Sequence, residues 1–203
     1  MAQQYAFLVD PGKCIMCRGC VVACKTENHV GSQWQRNDVV MVGPDQRMNP
    51  AGFAVFMNCQ HCEFPACIAA CPVEGKAIEK RDDGIVVMKT ESCAANEFCV
   101  AACPYGAIRL SPHQNKNGYN VSDKCTFCVH KRDRDPSQAE TGGNRPACVS
   151  SCPTNAIDFG LRDELLAQVK ASGRETWDID LFGTGPSNIY LKPLPVRKEE
   201  LIG

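Results

Sequence analysis

Fifteen of the 203 residues are cysteines, and their spacing is ordered. The first group reads Cys14-x2-Cys17-x2-Cys20-x3-Cys24. A tight loop can wrap three thiolates around one cubane iron–sulfur cluster, while the fourth lies too far along and serves a second cluster. One such box therefore calls for a partner box, and the chain has three more. The second is Cys59-x2-Cys62-x4-Cys67-x3-Cys71-Pro72, and the third is Cys93-x5-Cys99-x3-Cys103-Pro104. The fourth opens as Cys125-x2-Cys128, runs through nineteen residues (129–147), and closes as Cys148-x3-Cys152-Pro153.

Two other uses of thiols fit less well. A secreted disulfide scaffold is normally shorter, and an odd count leaves one cysteine over. Cysteines crowded into one loop are also badly placed to clamp distant segments. Zinc favours paired C-x2-4-C knuckles with four ligands per ion, whereas here runs of four recur and three of them end in proline. That proline fixes φ and turns the chain out of a short helix toward a strand.

The elements between the boxes repeat. Cys71-Pro72 leads to Ala77-Ile78-Glu79-Lys80, a turn at 82–84, a strand over 85–89 and then Cys93. Cys103-Pro104 leads to Ala107-Ile108-Arg109-Leu110, a loop ending at Gly118, a strand over 119–123 and then Cys125. Cys152-Pro153 leads to Ala156-Ile157-Asp158-Phe159. Each unit is a cysteine loop followed by a hairpin, which implies copies of one supersecondary unit. Residues 5–9 read as a strand, 10–12 as a turn, and the stretch after Cys20 as a short helix. Apolar residues at 39–42 and 54–57 predict a hairpin, with Trp34 packed beneath it. Leu161, Leu165, Leu166 and Val169 predict an amphipathic helix over 161–170, stopped near Gly173. The Gly- and Pro-containing tail beyond it reads as an extended strap along the body or along a partner.

The formal net charge is −1, which leaves no electrostatic footprint for nucleic acid. Apolar runs such as 51–57 are too short to span a membrane. The first residues lack a basic n-region, a twin arginine and an apolar stretch. Assembly is expected in a reducing cytoplasm, with residence there unless the folded chain is exported to the periplasm alongside a partner bearing a signal.

Four boxes in this order, with the long insertion in the fourth, resemble the four-cluster ferredoxin-like electron-transfer (beta) subunits of the molybdopterin oxidoreductases. Dimethyl sulfoxide, polysulfide and nitrate reductase subunits belong to that group, and the resemblance covers residues 5–160. It implies an α+β fold of two ferredoxin-like halves with short hairpins and helices around four clusters. The first half would comprise 1–58 and 104–160, with boxes one and four and an inserted hairpin. The second would be 59–103, with boxes two and three, and 161–203 would form a C-terminal helix and strap. The resemblance places Cys14, Cys17 and Cys20 with Cys152 on cluster 1, and Cys125, Cys128 and Cys148 with Cys24 on cluster 2. Cluster 3 would take Cys59, Cys62 and Cys67 with Cys103. Cluster 4 would take Cys93, Cys99 and Cys71, with Asn96 as a candidate fourth ligand. The matching Lys13-Cys14 and Lys124-Cys125 pairs agree with partnering boxes one and four.

The departure from the pattern is Asn96, which stands where the family has a cysteine; nitrate-reductase-type subunits have tryptophan there and a [3Fe–4S] cluster. An amide is a poor ligand in a thiolate-rich iron site. The implied cofactors are three [4Fe–4S] clusters plus one that is either [3Fe–4S] or an atypically ligated [4Fe–4S].

No phosphate loop, nucleophile–base pair, pterin signature or flavin signature stands out, so no catalytic residue is assigned. His29, His61, His113 and His130 are scattered. His61, inside the second box, is read as packing, with cluster tuning as the alternative. The expected role is a relay of single electrons between a molybdenum or tungsten pterin catalytic subunit and a second partner. That partner would be a membrane quinone subunit, a flavoprotein or a soluble carrier. Two alternatives stand beside it: a lyase-type enzyme using an open iron at Asn96, and a relay subunit of a hydrogenase or formate dehydrogenase complex. The charged 129–147 insertion, with His130, Lys131, Arg132, Arg134 and Arg145 against Asp133, Asp135 and Glu140, is expected to cover a cluster edge and meet a partner.

Overall fold

The computed structural model describes residues 3–44, 52–73, 77–135 and 144–193. Its centre is the strand β1, Tyr5–Val9. The segment Tyr-Ala-Phe-Leu-Val is apolar at every position because both of its faces and both of its edges are covered. Strand β8, Ile157–Leu161, pairs with it antiparallel from Tyr5↔Leu161 to Val9↔Ile157. On the other edge lies β10, Ile189–Leu191, parallel to β1 with Leu8 opposite Ile189. The two-residue strand β9, Thr176–Trp177, closes the sheet in the order β8-β1-β10-β9.

Alternation along β1 divides its side chains between two cores. Tyr5, Phe7 and Val9 face one; there Phe7 meets the Phe127 ring at 4.6 Å and those of Phe56 and Phe159 at 5.6 Å. Ala6 and Leu8 face the other, which is sealed by helix α6, Arg162–Ser172, through Leu165 and Val169 one turn apart. Acidic Asp163 and Glu164 sit in the first turn of α6 and Lys170 in its last, as its dipole favours. Gly173 ends it in the left-handed region at φ 67°.

Three antiparallel hairpins carry the rest of the strand content. They are β2 (Asn37–Val42) with β3 (Phe53–Asn58), β4 (Ile78–Lys80) with β5 (Val86–Met88), and β6 (Arg109–Gln114) with β7 (Asn120–Asp123). Trp34 is buried, as its place before β2 predicted. Ala77, Ile78, Val86, Cys99 and Ile108 form a third core, into which Cys67, Cys71 and Cys103 pack.

The remaining helices are short, and most carry cysteines: α1 (Gly19–Glu27), α2 (Ala66–Ala69), α3 (Phe98–Ala102), α4 (Val129–Arg132) and α5 (Ala147–Ser150). Pro65 and Pro146 stand before α2 and α5, where a missing N–H costs nothing. The fold is thus mixed helix and strand, as expected. The tail is expected as an extended strap along the body or a partner; its 189–191 segment runs as a strand within the central sheet, a long-range pairing with no local signal. Among the described residues no helix is long and apolar enough to cross a membrane.

Candidate iron–sulfur centres

The four boxes approach the body as loops bent by left-handed residues. Met16 and Arg18 adopt φ of 57° and 56° around Cys17, His61 44° before Cys62, Ala95 and Glu97 54° and 59° around Asn96, and Phe127 and Cys128 53° and 52°. Such angles cost roughly 1–3 kcal/mol for each non-glycine residue, so the surrounding fold must impose them.

The loops bring together four groups of side chains, each drawn from two boxes. In the first, Cys14, Cys17, Cys20 and Cys152 line one cavity with Val9, Phe56 and Ile157. Burial raises the Cys20 thiol to about 11, and Cys14, Cys152 and Cys17 add repulsion against the Val21 N–H. Cys152 behaves oppositely. Burial pushes it up, but the Ala156 N–H at 3.2 Å and Thr154 hold it below the ordinary thiol value.

The second group joins Cys24 to Cys125, Cys128 and Cys148. Burial raises Cys24, and Cys125 and Cys128 raise it further. Burial likewise drives up Cys148, with Cys125, Cys24 and Cys128 adding repulsion and Cys20 adding less. Asn28 Nδ2 lies 3.7 Å from Cys24 Sγ and 3.8 Å from Cys128 Sγ, a donor shared by two boxes. Arg36 holds Asn28 from behind at 2.6 Å while pairing with Asp123 at 2.9 Å.

Cys59, Cys62, Cys67 and Cys103 line the third cavity with Gln60, Val86, Tyr105 and Thr184. The Ala107 N–H points at Cys103 Sγ from 3.4 Å. The fourth group holds three thiols. Burial raises Cys99, a 3.4 Å contact with Ser122 Oγ opposes that, and Cys93 and Cys71 add repulsion. Beside Cys93, Asn96 Oδ1 accepts the Phe98 N–H at 3.3 Å, an Asx turn that starts α3. Among the described residues no three His, Cys, Asp or Glu side chains converge as ligands of a single ion would.

This donor set suits iron–sulfur clusters. Soft sulfur surrounds each space, thiol repels thiol until positive iron enters, and N–H groups from Ala107, Ala156 and Phe127 (3.5 Å from Cys125 Sγ) aim at sulfur. Several supporting residues carried no signal in the spacing. Thr184 comes from the tail, where backbone bonds from Glu63 and Phe64 to Gly185 and Thr184 at 2.7 and 3.0 Å seat it on box two. Ser187 and Asn188 bond the Gln60 and Cys59 carbonyls from the same segment. Only Asn28 was foreseeable, capping the end of α1 four residues after Cys24.

His61 is fully buried, stacked 3.7 Å from Phe127, and its Nδ1 accepts the Val86 N–H at 3.1 Å. Burial, then Lys124 and Lys80, hold it well below the usual imidazole range. The insertion in box four differs from the expected partner-facing loop at its near end. His130 and Lys131 bind Glu27, Arg132 lies over the Tyr5 ring and pairs with Asp83, and Asp133 takes Arg81. Arg145 pairs with Asp158. Most of its cations are thus engaged within the chain; Glu140 lies outside the described residues.

Sulfur-rich loops on this scaffold define the class as an iron–sulfur protein. The 4Fe-4S dicluster domain family matches residues 50–162. The protein is 34% identical over 192 residues to the thiosulfate reductase electron transfer subunit PhsB of Salmonella typhi, covering 94% of this sequence and 93% of that one. The B subunit of the anaerobic dimethyl sulfoxide reductase of Escherichia coli is 34% identical over 178 residues, 81% and 77% of the two sequences. The B subunit of the polysulfide reductase of Wolinella succinogenes is 35% identical over 164 residues, 79% and 78%. The chain belongs to this family of 4Fe–4S electron-transfer subunits of reductases.

Proposed function

We propose that the protein relays single electrons through four clusters, between a molybdenum or tungsten pterin catalytic subunit and a second redox partner such as a quinone subunit. The observation that carries this reading is the exchange of cysteines between boxes. Cys152 sits with box one, Cys24 with box four, Cys103 with box two and Cys71 with box three. Clusters 1 to 3 would be [4Fe–4S], each on four thiolates. Cluster 4, on Cys93, Cys99 and Cys71, would lack a thiolate corner. The clusters, when bound, supply reversible one-electron chemistry, with potentials set by local charge, hydrogen bonds to sulfur and exposure.

The chain's own residues then have distinct roles. Cysteines from two boxes tie each site, so that boxes one and four form one ferredoxin-like half and boxes two and three the other. The separate core around Ala77, Ile78 and Val86 supports that division. Within the first half, Cys20 of cluster 1 is felt by Cys148 of cluster 2, and Asn28 ties together Cys24 and Cys128 of cluster 2. Buried Phe127 and His61 stack where boxes two and four meet and exclude water there. The relatives' reductase complexes support a catalytic partner, and the absence of a thiolate at Asn96 is no sign of substrate chemistry when three complete sites accompany it.

Iron and acid-labile sulfide analysis tests the reading. About 15 to 16 irons per chain are expected from four sites. Iron near half that value, or equimolar zinc, would overturn it.

A further inference from the structure

Lys124 is fully buried. Its Nζ donates to the carbonyl of Val86 and, at 3.0 Å, to that of Cys125. Both acceptors are neutral. The adjacent Asp123 carboxylate is already occupied, by the Lys124 backbone N–H at 2.7 Å and by Arg36 at 2.9 Å. An ammonium enclosed among peptide dipoles is strongly disfavoured unless an anion lies beside it.

The two carbonyls show where that anion would be. Val86 lines the cavity of the third thiol group and Cys125 belongs to the second, so Nζ held by both carbonyls lies between the two groups, one in each half. Val86, whose carbonyl accepts the hydrogen bond from Lys124, donates its N–H to His61, and His61 stacks on Phe127 of box four. These contacts form one seam between boxes two and four.

We propose that Lys124 is a positioning residue for electron transfer, a fixed buried cation at this seam that raises the reduction potentials of the two clusters flanking it. The inference rests on the four-cluster reading above. Each electron arriving at either cluster adds negative charge in a poorly solvated place, and a cation at the seam offsets it for both neighbours. Clusters 1 and 4, farther from the seam, feel it less.

The test is a potentiometric titration followed by electron paramagnetic resonance on the iron-loaded chain, for wild type, Lys124→Met, Lys124→Gln and Lys124→Arg. The neutral variants should make two clusters harder to reduce by roughly tenfold in equilibrium constant, about 59 mV each for a one-electron couple. The other two should hold their potentials, and Lys124→Arg should restore all four. If the neutral variants fail to load iron while Lys124→Arg loads fully, a required counter-charge is equally demonstrated. Full loading of a neutral variant with all four potentials unchanged overturns the proposal, as does failure of all three variants, which would mark a role in packing. Wild type without four clusters would instead overturn the underlying reading.

Discussion

Asn96 occupies in the third box the place that Cys17 occupies in the first. Each lies between two left-handed residues, Ala95 and Glu97 for one and Met16 and Arg18 for the other. Each follows a cysteine entered from a 3-10 turn, Thr90–Ser92 or Pro11–Lys13, and each stands three residues before a cysteine in the next helix. The two loops share a backbone path, but Asn96 stands where the first box has a thiol, and its Oδ1 is turned to the Phe98 N–H.

Asn96→Cys should therefore be accommodated without rebuilding the loop. Iron should rise by about one per chain, and the potential of that cluster should fall because a thiolate adds negative charge. Oxidised wild type should show one near-isotropic resonance just above g of about 2, as a three-iron cluster gives, and the variant should lose it. A wild-type sample without the resonance would mean that the fourth iron is retained. Unchanged iron and unchanged potential in the variant would mean that the side chain at 96 does not face the cluster.

Much of this was legible in the residue spacing. The strand at Tyr5–Val9 appears at its expected bounds, and the repeated units yield the β4–β5 and β6–β7 hairpins. Box spacing reports local loop geometry, and the exchange of Cys24, Cys71, Cys103 and Cys152 followed from the family resemblance. What stayed hidden depends on residues far apart in sequence. Thr184 reaches box two only because β10 pairs with β1, and Lys124 looks like any surface lysine until Val86 folds over it. The insertion's charges read as meeting a partner because Glu27 and Asp83, which hold them within the chain, lie some distance back along the sequence.

The tail's hold on box two depends on Gly185. Its φ is +61°, and a Cβ built there would meet Glu63 Cβ at 2.8 Å, while its carbonyl accepts the Glu63 N–H at 2.7 Å. Gly185→Ala should cost roughly 1–3 kcal/mol through the backbone conformation alone. Because Thr184 also lines the third cavity, iron should leave that site first. A chelator time course should show a new fast phase of about four irons, one cluster's worth. Release kinetics matching wild type would detach Thr184 and Gly185 from that site's integrity.

Arg132 is read as a structural cation, and its substitution separates that role from docking. Its side chain is 8% exposed, its guanidinium stands 3.8 Å from the Tyr5 ring centroid, and Nη2 reaches Asp83 at 3.3 Å. The Asp83 carbonyl in turn accepts the Tyr5 N–H at 3.2 Å, so the guanidinium ties box four to the first residue of the central strand through the 82–84 turn. Asp83 also pairs with Arg81 at 3.2 Å, so losing Arg132 does not strand the carboxylate, whereas losing Asp83 leaves a buried cation uncompensated, typically about 3–5 kcal/mol. Asp83→Asn should therefore lower the unfolding midpoint markedly, and Arg132→Met should do so less. The double variant should recover part of the loss, since neither charge is then stranded. Thermal unfolding of the iron-loaded chain reads all three. If Arg132→Met kept the wild-type midpoint but failed to bind the catalytic subunit, Arg132 would be a docking residue and its contacts with Tyr5 and Asp83 incidental.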